Sequence, residues 1–173
     1  LHDSLTACNI LASLSPRQRF NCYDGVFMEN VWGVHGGSPS PDRWVKEDDD
    51  QYPCNDPRIL PQYRAACWAN QPSLLYGRLR GDVARVGAVC GAVKNAVYQE
   101  TCFDGLARQI HPVIKENAEE AKRLCALMPK EWEAKCVFSI ARAAASVGDK
   151  TLPPQLCDML SSPTREDCEM QFK

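Results

Sequence analysis

The chain has 173 residues, a formal net charge of −2, ten cysteines and 45% hydrophobic residues. That length suits one domain with a proper core; the charge lacks the basic footprint of a nucleic-acid binder, and no apolar run is long enough to span a membrane. No Cys-x-x-Cys pair occurs, so zinc ribbons, thioredoxin-type redox motifs and haem attachment have no basis here, and an even, dispersed set of cysteines reads as disulfides kept in an oxidising compartment. An extracytoplasmic protein, periplasmic or secreted, is therefore expected. The chain opens at Leu1 in what reads as mid-helix, with no signal-like segment, which predicts a processed or truncated form whose N-terminal part is missing.

The cysteines fall into five couples in sequence order: Cys8 and Cys22, Cys54 and Cys67, Cys90 and Cys102, Cys125 and Cys136, Cys157 and Cys168. Each couple encloses a turn signal (Pro16, Pro61, Asn95, Pro129 and Pro163 in turn) placed five to seven residues before the second cysteine. Proline fits the first turn of a helix, where its missing N–H is not needed. The second cysteine of each couple is thus expected about two turns into a second helix, and the first near the end of a preceding one. Pairing in sequence order gives αα-hairpins, each closed by its own disulfide. A rival scheme joins Cys22 to Cys54, Cys67 to Cys90, Cys102 to Cys125 and Cys136 to Cys157, but it strands Cys8 and Cys168 at opposite ends of the array.

The first hairpin covers about 1–30 and holds the phrase "CYDGVFMEN" from Cys22 to Asn30. A long loop, 31–53, follows, rich in Gly, Ser and Pro turn formers and in acidic residues. Long irregular insertions are commonly functional loops or tethers. Trp32 and Trp44 are its candidate partner-binding anchors, since tryptophan is enriched at interface hot spots. A metal site built from Glu29, His35, Asp48 and Asp50 is the lesser candidate, because the acidic run around Asp49 fits no EF-hand spacing.

The second hairpin, 54–80, carries Tyr63, Cys67, Trp68 and Asn70, with Pro72 expected to kink or restart its second helix. The third, 82–111, shows apolar stripes at Val83, Val86, Cys90 and Val93, then at Phe103, Leu106 and Ile110. It repeats the opening of the earlier phrase as "CFDGLARQI", Cys102 to Ile110. The fourth, 112–148, runs Ile114, Ala118, Ala121, Leu124, Cys125 and Met128 down one helix, with Glu119 and Arg123 in a favourable i,i+4 order. Trp132, Cys136, Ile140 and Ala144 form the facing stripe. The fifth, 152–173, is short and polar, as a terminal cap should be.

In the repeated phrase, the residue after the second cysteine (Tyr23, Trp68, Phe103, Val137) is read as filling space beside the bridge. The small residue two further on (Gly25, Asn70, Gly105, Ser139) is read as admitting the bridged partner backbone. Asp24 and Asp104 are read as acidic groups in an early helical turn, favoured by the dipole. Together these readings give an all-α fold: a single domain over 1–173 of tandem disulfide-stapled hairpins, forming a short right-handed α-solenoid (TPR/Sel1-like).

The phrases "CYDGVFMEN", "QYPC" and "YRAACWANQPSLL" resemble a group of exported bacterial proteins rich in paired cysteines, over roughly residues 1–80. The resemblance implies an exported helical repeat. In that group a His-Gly-x-Gly-His stretch lies upstream; this chain lacks it, and were it metal-binding Glu29 would be a distal ligand. No activity comes with the resemblance.

No Gly-x-Ser-x-Gly, phosphate-binding Gly-rich loop or His-Glu-x-x-His occurs, and the disulfide scheme leaves no nucleophilic thiol. No catalytic residue and no cofactor is predicted. The expected role is a non-enzymatic protein–protein interaction or scaffold module, possessing as partner another protein or a larger extracytoplasmic complex. The alternative is a metal-handling protein or enzyme whose site lies around 29–50 with the missing N-terminal segment.

Overall fold

The computed structural model describes residues 1–10, 15–32 and 43–172. Among these the fold is all-helical: α1 (His2–Ile10), α2 (Pro16–Trp32), α3 (Pro61–Arg78), α4 (Val83–Gly91), α5 (Ala96–Ile114), α6 (Ala118–Cys125), α7 (Lys130–Ser146), α8 (Leu152–Asp158) and α9 (Thr164–Gln171). The turn signals act at the starts of the second helices. Pro16 and Pro61 open α2 and α3, Pro129 and Pro163 are the residues just before α7 and α9, and the Asn95 carboxamide oxygen accepts from the N–H groups of Val97 and Tyr98. Each satisfies, or removes, a backbone donor that a helix N-terminus would otherwise leave unpaired.

Five disulfides join Cys8–Cys22, Cys54–Cys67, Cys90–Cys102, Cys125–Cys136 and Cys157–Cys168. Each bridge holds its two Cα atoms 5.5–5.8 Å apart, inside the range a disulfide requires. One apolar core runs without interruption from Leu5 to Cys168. No helix among the described residues is long and apolar enough to cross a membrane.

Three boundaries differ from the sequence expectation. The second unit has no first helix: Cys54 sits in a run of turns, and its bridge ties those turns to α3. Pro53, Pro57 and two aspartate turns account for this, because the Asp49 carboxylate takes the N–H groups of Gln51 and Tyr52 while Asp56 takes that of Arg58. Secondly, α5 passes through Pro112 and ends at Ile114, so Ile114 is a buried residue of α5 and does not belong to the α6 stripe. The chain then reverses through Lys115 and Glu116, both at positive φ (48° and 62°), before Asn117 caps α6. Thirdly, α3 continues through Pro72 as one helix. On α6, Arg123 pairs with Glu120 at 2.6 Å, not with Glu119.

Candidate functional site

The second helices α2, α3, α5 and α7 pack in succession, and their contacts show how the repeated phrase works. Tyr23 on α2 meets Tyr63 on α3 edge to face, with ring centroids 4.8 Å apart, and Asn9 links the two hydroxyls. One residue on, the Asn70 amide of α3 donates to the Asp24 carboxylate at 2.7 Å. At the joint of α5 and α7, Phe103 stacks on Trp132 at 4.3 Å. There the Ser139 hydroxyl donates to Asp104 at 2.5 Å, and Arg142 pairs with the same carboxylate. The joint of α3 and α5 uses backbone instead. Gly105 lies so close to α3 that a Cβ there would sit 2.3 Å from the Ala69 carbonyl oxygen, which also accepts from Arg108 at 2.6 Å.

A single register links all three joints. The residue two past the second cysteine (Asp24, Ala69, Asp104) faces the residue three past the second cysteine of the next unit (Asn70, Gly105, Ser139). Where the sixth residue is arginine (Arg108, Arg142), it reaches back to the same spot. Contacts advance in the same direction along both helices of each joint, so the four helices run parallel. These findings correct three readings. Asp24 and Asp104 lie mid-helix, far from the N-terminal turn, and each carboxylate is an inter-unit acceptor. The aromatic after the cysteine serves the next unit at Tyr23 and Phe103. The small residue admits the neighbouring unit's helix at Gly105, not the bridged partner. Burial raises the Tyr23 phenol above its ordinary pKa, with Tyr63 adding to the effect.

The segment after the undescribed residues is bound down by backbone capture. The Asn30 side chain accepts from the Trp44 N–H and donates to its carbonyl, both at 3.0 Å. Gln71, 1% exposed, donates to the carbonyls of Asp50 (2.8 Å) and Tyr52 (2.9 Å). Trp44, half-buried, packs against the Arg58 guanidinium (4.2 Å to the ring centre) and stacks with the Tyr52 ring, Arg58 also donates to the Tyr52 hydroxyl, and the Lys46 ammonium lies 4.4 Å from the Tyr52 ring centre. Arg58 also clasps Asp56 and holds its carboxyl at a pKa of about 2.

The other predicted site residues scatter. Trp32 is the last residue of α2, and His35 lies outside the described residues. Glu29 is exposed on α2, Asp48 is exposed, and Asp50 pairs with Arg78 at 3.6 Å. Among the described residues no three His, Cys, Asp or Glu side chains gather to hold a metal ion. No known protein family, curated protein or solved structure matches this chain.

A cleft of about 590 Å³ opens on α1 and α2 and is lined by Ser4, Gly25, Val26, Met28, Glu29 and Arg43, among others. Sequence reasoning took Gly25 for packing and did not single out Arg43. A second cleft of about 570 Å³ lies between the end of α5 and the α7–α8 turn, beside His111 and Asp149. The carboxyl of Asp149 is held below the ordinary range by the N–H groups of Leu152 and Thr151, the work of a turn cap.

Proposed function

We propose that this protein is a non-enzymatic interaction and scaffold module, an accessory subunit of an extracytoplasmic complex in the periplasm or outside the cell. It is built as a short right-handed α-solenoid of the TPR/Sel1 kind, and it belongs with the exported cysteine-paired proteins its phrases resemble. One observation carries the reading: a single contact register repeats from α2 to α7, with each second helix seated on the next. Arrays joined only to neighbours extend a binding surface as they grow, and the polar side chains at the joints are committed to holding helices together. The disulfides fit this role, since a stapled frame keeps such a surface rigid outside the reducing cytosol.

The test is purification of the native protein under mild conditions, followed by reconstitution with the purified companion. A defined complex that Trp32→Ala or Trp44→Ala weakens supports the reading. A protein that stays alone at native concentration and turns over a substrate overturns it. The alternative, a metal-handling protein or enzyme with its site around 29–50, draws on the position of Glu29 at the cleft on α1 and α2. Stoichiometric transition metal in the native protein, lost on Glu29→Gln, is the result that would establish it.

A further inference from the structure

The repeated register leaves out one carboxylate. Two residues past the second cysteine of the first three units stand Asp24, Ala69 and Asp104, and both aspartates accept a bond from the unit that follows. Ala69 has no such group. The arginine that reaches back to it, Arg108, finds only its backbone carbonyl, at 2.6 Å. Arg142, six residues past Cys136 as Arg108 is past Cys102, pairs instead with the Asp104 carboxylate. Among the described residues Arg108 forms no ion pair. The two arginines line one groove between α5 and α7, about 180 Å³, with Asp104, Ser139, Ala143 and Ser146. Arg108 is exposed and the Arg142 side chain is 32% exposed, so solutes reach both. A guanidinium carries five N–H donors in a planar fork, and each of these uses a single nitrogen on a protein acceptor. The Ser146 hydroxyl is neutral and donates to the Ala143 carbonyl. Two guanidinium groups and one carboxylate therefore leave one positive charge in the groove without a counterion. A single negative charge balances it, whereas a doubly charged phosphate would set an excess charge beside Asp104. Bonds from a guanidinium fork to a carboxylate are also stronger than bonds to a neutral oxygen.

We infer that the Arg108–Arg142 groove is a docking point for one side-chain carboxylate, aspartate or glutamate, of a separate protein. That carboxylate gives Arg108 the counterion that Asp104 gives Arg142, and the free nitrogens of Arg142 bound the other side of the groove. The bonds of both arginines to their joints are kept. The inference rests on the interaction-module reading and specifies one contact of its surface.

The probe is the peptide acetyl-Ala-Ala-Glu-Ala-Ala-amide, titrated into the intact, oxidised chain at fixed ionic strength while the arginine side-chain N–H signals are followed by NMR. Saturable shifts at Arg108 and Arg142 are expected. Binding should weaken about tenfold or more when the peptide glutamate is replaced by glutamine, and equally with Arg108→Gln in the chain. Ala69→Asp, which gives Arg108 a carboxylate of its own, should weaken it likewise. Lys150→Gln removes the same charge from the exposed turn before α8 and should leave binding unchanged. Circular dichroism and the unreduced mass check that each variant folds, and Arg108→Gln alone decides the matter if Ala69→Asp does not fold. Shifts that do not saturate, or that are indifferent to Arg108, overturn the docking point. So does inorganic phosphate bound more tightly than the peptide through Arg108, which would make the groove a site for a free anion. Concentration-dependent self-association that Arg108→Gln abolishes also overturns it, by making a second copy the occupant. Failure of the peptide leaves the interaction-module reading to its own copurification test.

Discussion

Replacing each phrase glycine by alanine should move stability in opposite directions. Both Gly25 and Gly105 lie inside helices, so each Gly→Ala exchange gains about 0.5–1 kcal/mol of helix propensity. At Gly25 nothing opposes that gain among the described residues, since no atom lies within 4 Å of the new methyl. At Gly105 the methyl would stand 2.3 Å from the Ala69 carbonyl oxygen, 3.0 Å from its carbon and 3.1 Å from Pro72 Cγ. The obstacle is backbone, so α3 and α5 must separate along the joint where Gly105 meets Ala69 and Pro72. Overpacking of this kind costs about 1–3 kcal/mol, and the larger end applies because a helix must shift. The net expectation is a loss of about 2–2.5 kcal/mol for Gly105→Ala, or about 4–10 °C in Tm for a domain of this size. Gly25→Ala should raise Tm by about 1–4 °C on the same conversion. Calorimetry with disulfides intact is the assay. Shifts of the same sign, or a neutral Gly105→Ala, would refute the close-approach reading of the α3–α5 joint.

Asp104 and Arg142 should couple in a double-mutant cycle by about 1–2 kcal/mol in urea unfolding, the lower part of the charged hydrogen-bond range because both are about a third exposed; a coupling near zero would remove the carboxylate from the joint. Gln71→Ala leaves the Asp50 and Tyr52 carbonyls without their donor and should destabilise by about 1–3 kcal/mol. Amide exchange in 43–60 should rise more than exchange in α7. The Asp56 carboxyl, held at about 2 by Arg58, has a folded pKa below its unfolded value of 3.8. Its stabilising contribution is therefore present above about pH 4 and lost as pH falls towards 2. Carbon-detected NMR should place the Asp56 midpoint near 2 and move it towards 3.8 in Arg58→Gln.

Much of the architecture is local and so readable before folding. The 3.6-residue stripes of α4 to α7 require helices. Pro16, Pro61 and Asn95 begin helices because of what each does to its own backbone donors. Cysteines at near-constant separation around such a turn face each other across one hairpin, which makes the couples a short-range consequence of the turn. The second unit departs from the pattern for an equally local reason. Asp49, Pro53, Asp56 and Pro57 offer the backbone turns in place of a helix, and the regular cysteine spacing hid that competition.

The joints and the candidate site are another matter. Asp24 and Asn70 are 46 residues apart, and Asp104 and Ser139 are 35 apart; no periodicity within either helix states how far one slides along the other. The repeated Cys-aromatic-Asp-Gly phrase carried the signal, but its meaning depends on which face the next helix covers. The same holds for Gly25 and Gly105, each in a Cys-aromatic-Asp-Gly phrase, yet among the described residues one has no atom near its Cβ position and the other is pressed on a carbonyl. Sequence alone determined the helices, their starts and the cysteine couples, because those follow from bonds between near neighbours. Tertiary structure alone decided which side chains join the units, because axial stagger and helix separation are set by the packing of the whole array.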